Sequence, residues 1–550
     1  MKFAIIRNFW NPGLARSAGL LLLCLALNSV CWGQAPRIFY SDLESGPNTG
    51  GQNNKGAFVT IYGKGFGNGR GSSMVTVGGQ KADNYPIWTD TKIALQLGNA
   101  ARTGEIVVHL SGRGASNGIP FTVRPGKIYF VSPSGGLLGH GSYTSPWRTI
   151  DKAAFALGAG DIAYVMNGVV QSKEDNYSAA LSIQSAGAPG RPIALVAYPG
   201  ANPVIGTVDG PDMAIRTPEI EGGPFSHWVI AGFTLRGHYM AMNLVSVSNW
   251  RIVANDISCP RGDGPTACVE VSRSGDVKVL GNHIHDAGRQ GASKVYHSLY
   301  FSTDSNHIEA GWNLIANNHS CRGIQFFSSP NGPNTGFNQY DLIVHDNRIH
   351  DQVCDGINFA TIDPSKGPVL AYNNVVYRVG LGPDPPDAES NYACINSPGT
   401  TNHGSQGSGT AEWFNNTLYD CGARGGRLSG AFNVAEGSPQ VRLRNNIVYQ
   451  KPSENYLEYW TRSSLVSGSN NLWFGSGRGP SQFSGNLNVD PKFADLGAFD
   501  FHLQQGSPAT HAGVETGVTT DFDGRPRNHS LGAFEPVEPT SAATTIAPSH

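Results

Sequence analysis

Charge is scarce in this 550-residue chain: Lys and Arg number 39, Asp and Glu 41, and the formal net charge is -2. A balance so near neutral sets up no basic field, so neither nucleic acid nor an anionic membrane surface is an expected partner. A long polyanion can still be held by a local basic patch. Apolar runs are short as well. The longest, Ala18 to Leu27, is too brief for a comfortable membrane span, and no later segment approaches one, so membrane insertion is not expected. Lys2, Arg7 and Arg16 precede that run and the small residues Cys31 and Gly33 follow it, the order of a secretory signal cleaved near Gly33. The mature chain is therefore expected outside the cytoplasm (extracellular, periplasmic or at the cell surface) and as a monomer. Cysteine is limited to eight residues, two of which leave with the signal. The remaining Cys259, Cys268, Cys321, Cys354, Cys394 and Cys421 lack zinc-ligand spacing and read as structural disulfides of an oxidising compartment. Extended helical periodicity is missing too. Seventy glycines and Asn-rich segments point instead to many short strands joined by turns.

What is present begins at Pro36. Phe58 to Gly63, Met74 to Val77, Glu105 to Leu110 and Ile119 to Val123 alternate apolar and polar residues between Gly-rich turns, the pattern of a small β-sandwich. The stretches VTIYGKGFG, VTVGG and SNGIPFTV fall in the order found in the IPT/TIG family, and residues 36–124 resemble that immunoglobulin-like module. The resemblance implies a spacer or binding unit and assigns it no chemistry.

A second domain is expected over residues 127–535. Ile150, Ala153, Ala154 and Leu157 share one face of a short helix after Pro146, which suits a cap on the open end of a stack of coils. The stack announces itself by repetition. Tetrads begin at Asn255, Asn282, Asn313, Asn347, Asn374, Asn416, Asn446 and Asn471, at intervals of 27, 31, 34, 27, 42, 30 and 25 residues. Each interval is one coil, with insertions in loops. Asn is expected in the left-handed turn before each strand, and asparagines stacked at one position can bond to each other. Asp490-Pro491-Lys492-Phe493, Phe499 to Leu503, Asp521 to Pro526 and Leu531 to Glu535 resemble the closing segment of secreted bacterial right-handed parallel β-helix proteins of the pectate-lyase-like superfamily. The fold expected is thus all-β: a right-handed parallel β-helix preceded by an IPT/TIG β-sandwich, with residues 536–550 a disordered tail. That superfamily includes polysaccharide lyases, glycosidases, epimerases and proteins of unknown role, so the resemblance implies the fold more strongly than an activity.

A second strand of each coil aligns as a column. Leu299, Ile324, Ile357 and Ile395 point inward, and Glu270, Tyr300, Gln325, Asn358, Asn396 and Asn433 point outward. Adjacent coils lie about 4.8 Å apart, so the outward column forms a polar stripe. Small neighbours (Ser298, Gly323, Gly356) are expected to leave a shallow groove along it, with His297, Arg322 and Asp355 at its edge. Such a groove suits an extracellular polysaccharide, although any solvent-facing column of a β-helix is polar. The same alignment sets Cys321 beside Cys354, so a disulfide is expected there. Cys259 and Cys268 can close a local loop, and Cys394 and Cys421 are left over.

Lys294, His297, Tyr300 and Arg322 are the candidate catalytic residues, with Glu270, Gln325, Asp355, Asn358 and Asn396 as candidate substrate contacts. A polysaccharide lyase must neutralise a uronate carboxylate, remove the proton beside it and protonate the leaving oxygen. Arg322 or Gln325 can do the first, Lys294 or His297 the second and Tyr300 the third. No lyase family's motif matches these residues one by one. Glycoside hydrolysis needs two carboxyls about 5–10 Å apart, for which Glu270, Asp355 and Asp304 are available. The paired Asp and Gly-His-Gly motifs of polygalacturonase-like enzymes and the Asp-Pro-His-Asp motif of mannuronan epimerases are absent. No metal is assigned, but a loop with Asp384, Asp387 and Glu389 offers the hard oxygens that Ca2+ takes, or is simply solvated. His285 and His350 share a column with Tyr377, Tyr419 and Tyr449, where stacking is the expected role. A non-catalytic glycan-binding or adhesive surface is the alternative of another class.

Overall fold

The structure, a computed structural model, describes residues 35–136, 138–219, 225–328, 339–399, 407–459 and 461–536. The leader expected over residues 1–33 and, from 537 on, the tail expected to lack order lie outside the described residues.

Short strands with period-2 burial build the first domain. Arg37–Ser41, Phe58–Lys64, Lys92–Gln96 and Asn84–Trp88 form one sheet in that order. Ser45–Gly46, Ile119–Val123, Gly104–Leu110, Met74–Val77 and Gln80–Lys81 form the other, with Gly114–Ala115 pairing beside it. Val75, Val77, Ile106 and Val108 alternate into the interior with Ile61, Ile93 and Leu95. This interior does not end at the domain. It continues into Phe130, Ile162, Tyr164, Ala194, Val196 and Val229 of the next domain, where the Tyr164 hydroxyl donates to the Phe58 carbonyl at 2.6 Å. Arg251 reaches back to the Glu44 carboxylate and donates to the Ser41 carbonyl. The sandwich is seated on the flank of the solenoid.

From Ile162 to Tyr449 the strands rotate through three sheets, so that every third strand returns to the same one. Among the described residues these parallel sheets hold twelve, eleven and nine strands, the layout of a parallel β-helix. The helix Ile150–Ala156 closes the first coil, burying Ile150, Ala153 and Ala154 in the same core that runs the length of the domain. Aromatic stacks fill that core: Phe301 lies on Phe326 at 5.0 Å, Phe326 on Phe359 at 5.2 Å, and Phe359 on Trp413 at 5.8 Å.

The eight tetrad asparagines form one continuous ladder. Each Nδ2 donates to the next Oδ1 at 2.9–3.1 Å, from Asn255 to Asn471. The left-handed residue, however, stands one position earlier than expected: Ala254, Gly281, Trp312, Asp346, Asn373, Asn415, Asn445 and Asn470 carry the positive φ. In the Asn-Asn pairs the first asparagine makes the turn and the second makes the rung. All six cysteines are bonded, as Cys259–Cys268, Cys321–Cys354 and Cys394–Cys421.

The closing segment folds back over the second sheet. Phe493, Phe501, Leu503, Leu531 and Phe534 bury Val375, Tyr377, Tyr419, Ile447 and Leu472. Lys64 of the sandwich meets Asp523 of this segment at 2.5 Å. His350 stacks on Tyr377 at 4.7 Å, as its column implies. His285 does not join the column stack; its ring lies on His283 at 4.4 Å.

One buried histidine makes stability depend on pH. His345, 4% exposed, lies between Asp346 at 2.8 Å and Glu309 at 3.4 Å. Burial alone lowers its pKa, but hydrogen bonds to the two carboxylates outweigh that and push it up to about 9 from 6.5. A raised cation contributes stability that is complete below 6.5 and is lost as pH rises through 9. Urea midpoints at the two ends of that window are expected to differ by about 3 kcal/mol of stability. In His345→Gln that slope disappears.

Candidate active-site cleft

The third sheet carries the site. His297–Ser302 pairs with Arg322–Phe327, setting Tyr300 opposite Gln325 and His297 opposite Arg322. Glu270 precedes Tyr300 in this register, and Asn358, Asn396 and Asn433 follow Gln325. The column is therefore in the expected order, but it is not a continuous exposed stripe. Gln325, Asn358, Asn396 and Asn433 are 4%, 1%, 0% and 1% exposed. Asn358 donates to Gln325 at 2.7 Å, Asn433 to Asn396 at 2.7 Å, and Asn396 to Asp355 at 3.0 Å. Amides that bond to one another can be packed beneath loops at reduced cost. The small residues also serve differently from expectation. A Cβ at Gly356 would sit 2.7 Å from the Cys394 carbonyl and 2.8 Å from Val376, and one at Gly323 would sit 2.6 Å from the Gly356 carbonyl. They permit close packing between successive coils rather than widening a groove.

The opening is instead a local cleft of about 760 Å³. Its lining includes Lys294, His297, Tyr300 and Arg322, all four candidate catalytic residues, together with Glu270, Gln325 and Asn358. Asp355 and Asn396 do not line it; Asp355 is fully buried behind Arg322. The opposite wall comes from Glu389, Ser390, Asn391, Pro398 and Leu428, on loops that interrupt the repeat. Repetition located the column and carried no signal for these insertions.

Arg322 is fixed from three sides. Its Nε donates to Asp355 at 3.0 Å, one terminal nitrogen to the Lys294 carbonyl at 3.2 Å and the other to Ser390 Oγ at 2.9 Å. A guanidinium has five N–H groups, so these bonds leave two for a ligand. Asp355 also accepts from the Ala393 N–H at 2.9 Å; burial nevertheless pushes its carboxyl up to about 6, against the pull of Arg322 and those hydrogen bonds.

Below the rim, His297 meets the Tyr300 ring edge-on at 5.0 Å. Burial first, and then the Arg322 charge, hold the imidazole well below its ordinary pKa, so it is neutral at pH 7. Among the described residues its buried Nδ1 has no hydrogen-bond partner, and neither has the buried Oδ1 of Asn358. Burial raises the Tyr300 phenol, with the Glu270 charge adding to the effect, which keeps the proton on the ring. Burial likewise raises Glu270, against hydrogen bonds from Thr266 at 2.8 Å and Ser302 at 2.9 Å. Lys294 is half-buried on the rim, where its backbone N–H donates to Asp387 at 3.0 Å. The cleft thus combines a guanidinium, an amine, a neutral imidazole, a phenol that holds its proton and a carboxyl of raised pKa.

The acidic loop does not fit calcium. Asp387 accepts from Ser293 and the Lys294 N–H, whereas Asp384 and Glu389 both turn to Arg424. Their oxygens do not converge on a common point.

Residues 44–123 match the IPT/TIG domain family, so the sandwich is an IPT/TIG domain. No curated protein sequence matches the chain. Solved structures of similar fold include pectate lyase Pel9A, at 14% identity and a TM-score of 0.48, over 74% of this chain and 96% of that one. They also include XylC with xylose, at 11% identity and a TM-score of 0.43, over 74% and 98% of the two chains. A third is the alginate lyase of Paenibacillus sp. str. FPU-7, at 14% and 0.33, over 62% and 96%. Identities this low leave the chemistry to the cleft itself.

Proposed function

We propose that the chain is a secreted carbohydrate-active protein whose cleft cleaves a uronate-containing polysaccharide by β-elimination. The observation that carries this reading is the gathering of Lys294, His297, Tyr300 and Arg322 in one cleft, with Tyr300 protonated and His297 neutral. The two free N–H groups of Arg322, aided by Gln325, hold the uronate carboxylate. That contact stabilises the negative charge that develops when Lys294 or His297 takes the proton on the adjacent carbon. The electron pair left behind forms the carbon–carbon double bond as the glycosidic oxygen departs, and Tyr300 gives that oxygen its proton. Hydrolysis is less favoured, because Asp355 is buried behind Arg322 and Glu389 on the opposite wall is paired with Arg424 at 2.9 Å.

The test is incubation of the chain with alginate, pectate, glycosaminoglycans and neutral glycans, with and without calcium. Ultraviolet absorbance from unsaturated uronate and new reducing ends are followed together. Both signals rising on one uronate polymer is the expected result. Reducing ends alone would mean hydrolysis, and silence on every polymer would leave a glycan-binding surface.

A further inference from the structure

The second sheet carries a cluster that the cleft does not use. Asp256 lies on the strand Asp256–Cys259, and His283 and His285 lie on His283–Ala287 one coil further on. Residues two apart on a strand share a face, so both imidazoles stand over the same outer surface as the carboxylate. Asp256 Oδ2 is 3.4 Å from His283 Nδ1 and 3.4 Å from His285 Nε2. A tetrahedral ion with bonds of about 2.0–2.1 Å sets its ligand atoms about 3.3 Å apart. Such spacings are also those of ligand atoms gathered around one ion.

A second observation points the same way. Asp286 Oδ2 lies 2.7 Å from His285 Nδ1. A carboxylate there accepts the ring's N–H and turns Nε2 toward Asp256. A carboxylate behind a ligating histidine is the usual way in which a metal-binding imidazole is oriented. Arg236 donates to Asp256 Oδ1, which also lies 3.4 Å from His285 Nε2, while Oδ2 is the oxygen within 3.4 Å of both rings. The surface is also open. The side chains of His283 and Asp256 are 42% and 43% exposed, whereas the closing segment covers the same sheet only from Val375 onward.

We propose that Asp256, His283 and His285 bind one divalent transition ion of the zinc class, with Asp286 positioning His285 and the remaining coordination position left to water. Imidazole and carboxylate together suit zinc, cobalt, nickel or copper better than calcium, which prefers an all-oxygen set. The ion would clamp two consecutive coils beside the seated sandwich, upstream of the closing segment.

The test uses the full chain made without a polyhistidine tag and stripped with a chelator. Zn2+ is titrated by calorimetry, and Co2+ by its visible absorption, which reports ligand type. One ion per chain is expected, with Zn2+ raising the thermal midpoint. His283→Ala and Asp256→Asn should each weaken binding about tenfold or more, and Asp286→Asn about tenfold. The metal-free variants are compared with the metal-free parent by circular dichroism; if His285→Ala does not fold, His283→Ala and His285→Gln carry the test. Absence of saturable one-to-one binding overturns the proposal. So does binding that is unchanged in His283→Ala/His285→Gln, because other histidines must then hold the ion.

Discussion

Tyr300→Phe is expected to lower kcat on the cleaved polymer about 10²–10⁴-fold, the usual contribution of a positioned proton donor. KM should change little, because the ring that lines the cleft and packs edge-on against His297 is retained. Stability should also hold, since the hydroxyl makes only a 3.3 Å contact with the Phe327 carbonyl. Steady-state rates of unsaturated-uronate formation, with a urea melt beside them, measure all three. A variant of unchanged kcat would remove Tyr300 from the chemistry. Arg322→Ala makes the informative contrast. It should abolish turnover and also cost about 3–5 kcal/mol of stability, because Asp355 is then left buried without its cation. Lys294→Ala and His297→Ala, assayed alongside, decide which of the two is the base.

Asn347→Ala is expected to destabilise the solenoid by about 3–5 kcal/mol, among the largest effects of any single change outside the aromatic core. The Asn347 side chain is fully buried and makes four hydrogen bonds. Its Nδ2 donates to the Ala310 carbonyl at 2.9 Å and to Asn374 at 3.0 Å. Its Oδ1 accepts from the backbone and side chain of Asn313, both at 3.0 Å. Truncation strands buried partners that water cannot reach. Asn347→Asp should be no better, since a carboxylate cannot donate to Ala310 or Asn374. At the far end, Asn486 is half-buried and caps the ladder by accepting the Asn471 N–H at 3.2 Å, so Asn486→Ala is expected to cost only about 1 kcal/mol. Urea midpoints of the three variants test this, and equal losses at Asn347 and Asn486 would contradict a cooperative ladder.

Those asparagines show how far the fold could be read from residues alone. Recurrence of one tetrad fixed the coils, and alternation within the neighbouring strands fixed the register of Glu270, Tyr300, Gln325, Asn358, Asn396 and Asn433. What repetition could not convey was which asparagine of a pair made the turn, because the two are chemically identical and differ only in φ. The Cys394–Cys421 bond stayed hidden for a related reason. Cys394 lies on the third sheet and Cys421 on the second, so no alignment within one column brings them together. Exposure was not legible where non-repeating loops roof the column, and those loops also supply Glu389, Ser390 and Leu428 to the cleft. The seating of the IPT/TIG domain on the solenoid depends on Phe58, Phe130 and Tyr164, which read in sequence as ordinary core residues of two separate domains.

The contact between Lys64 and Asp523 bears on how the molecule comes apart. A stack of coils has only nearest-neighbour cohesion and ordinarily peels from whichever terminus is weaker. Here one terminal element grips the other across the flank, and Gly524 packs so tightly against Arg37 and Phe39 that a Cβ would lie 2.6 Å from each. Peeling from either terminus must first part that grip. The solenoid therefore behaves as a closed loop rather than a ribbon with two loose ends.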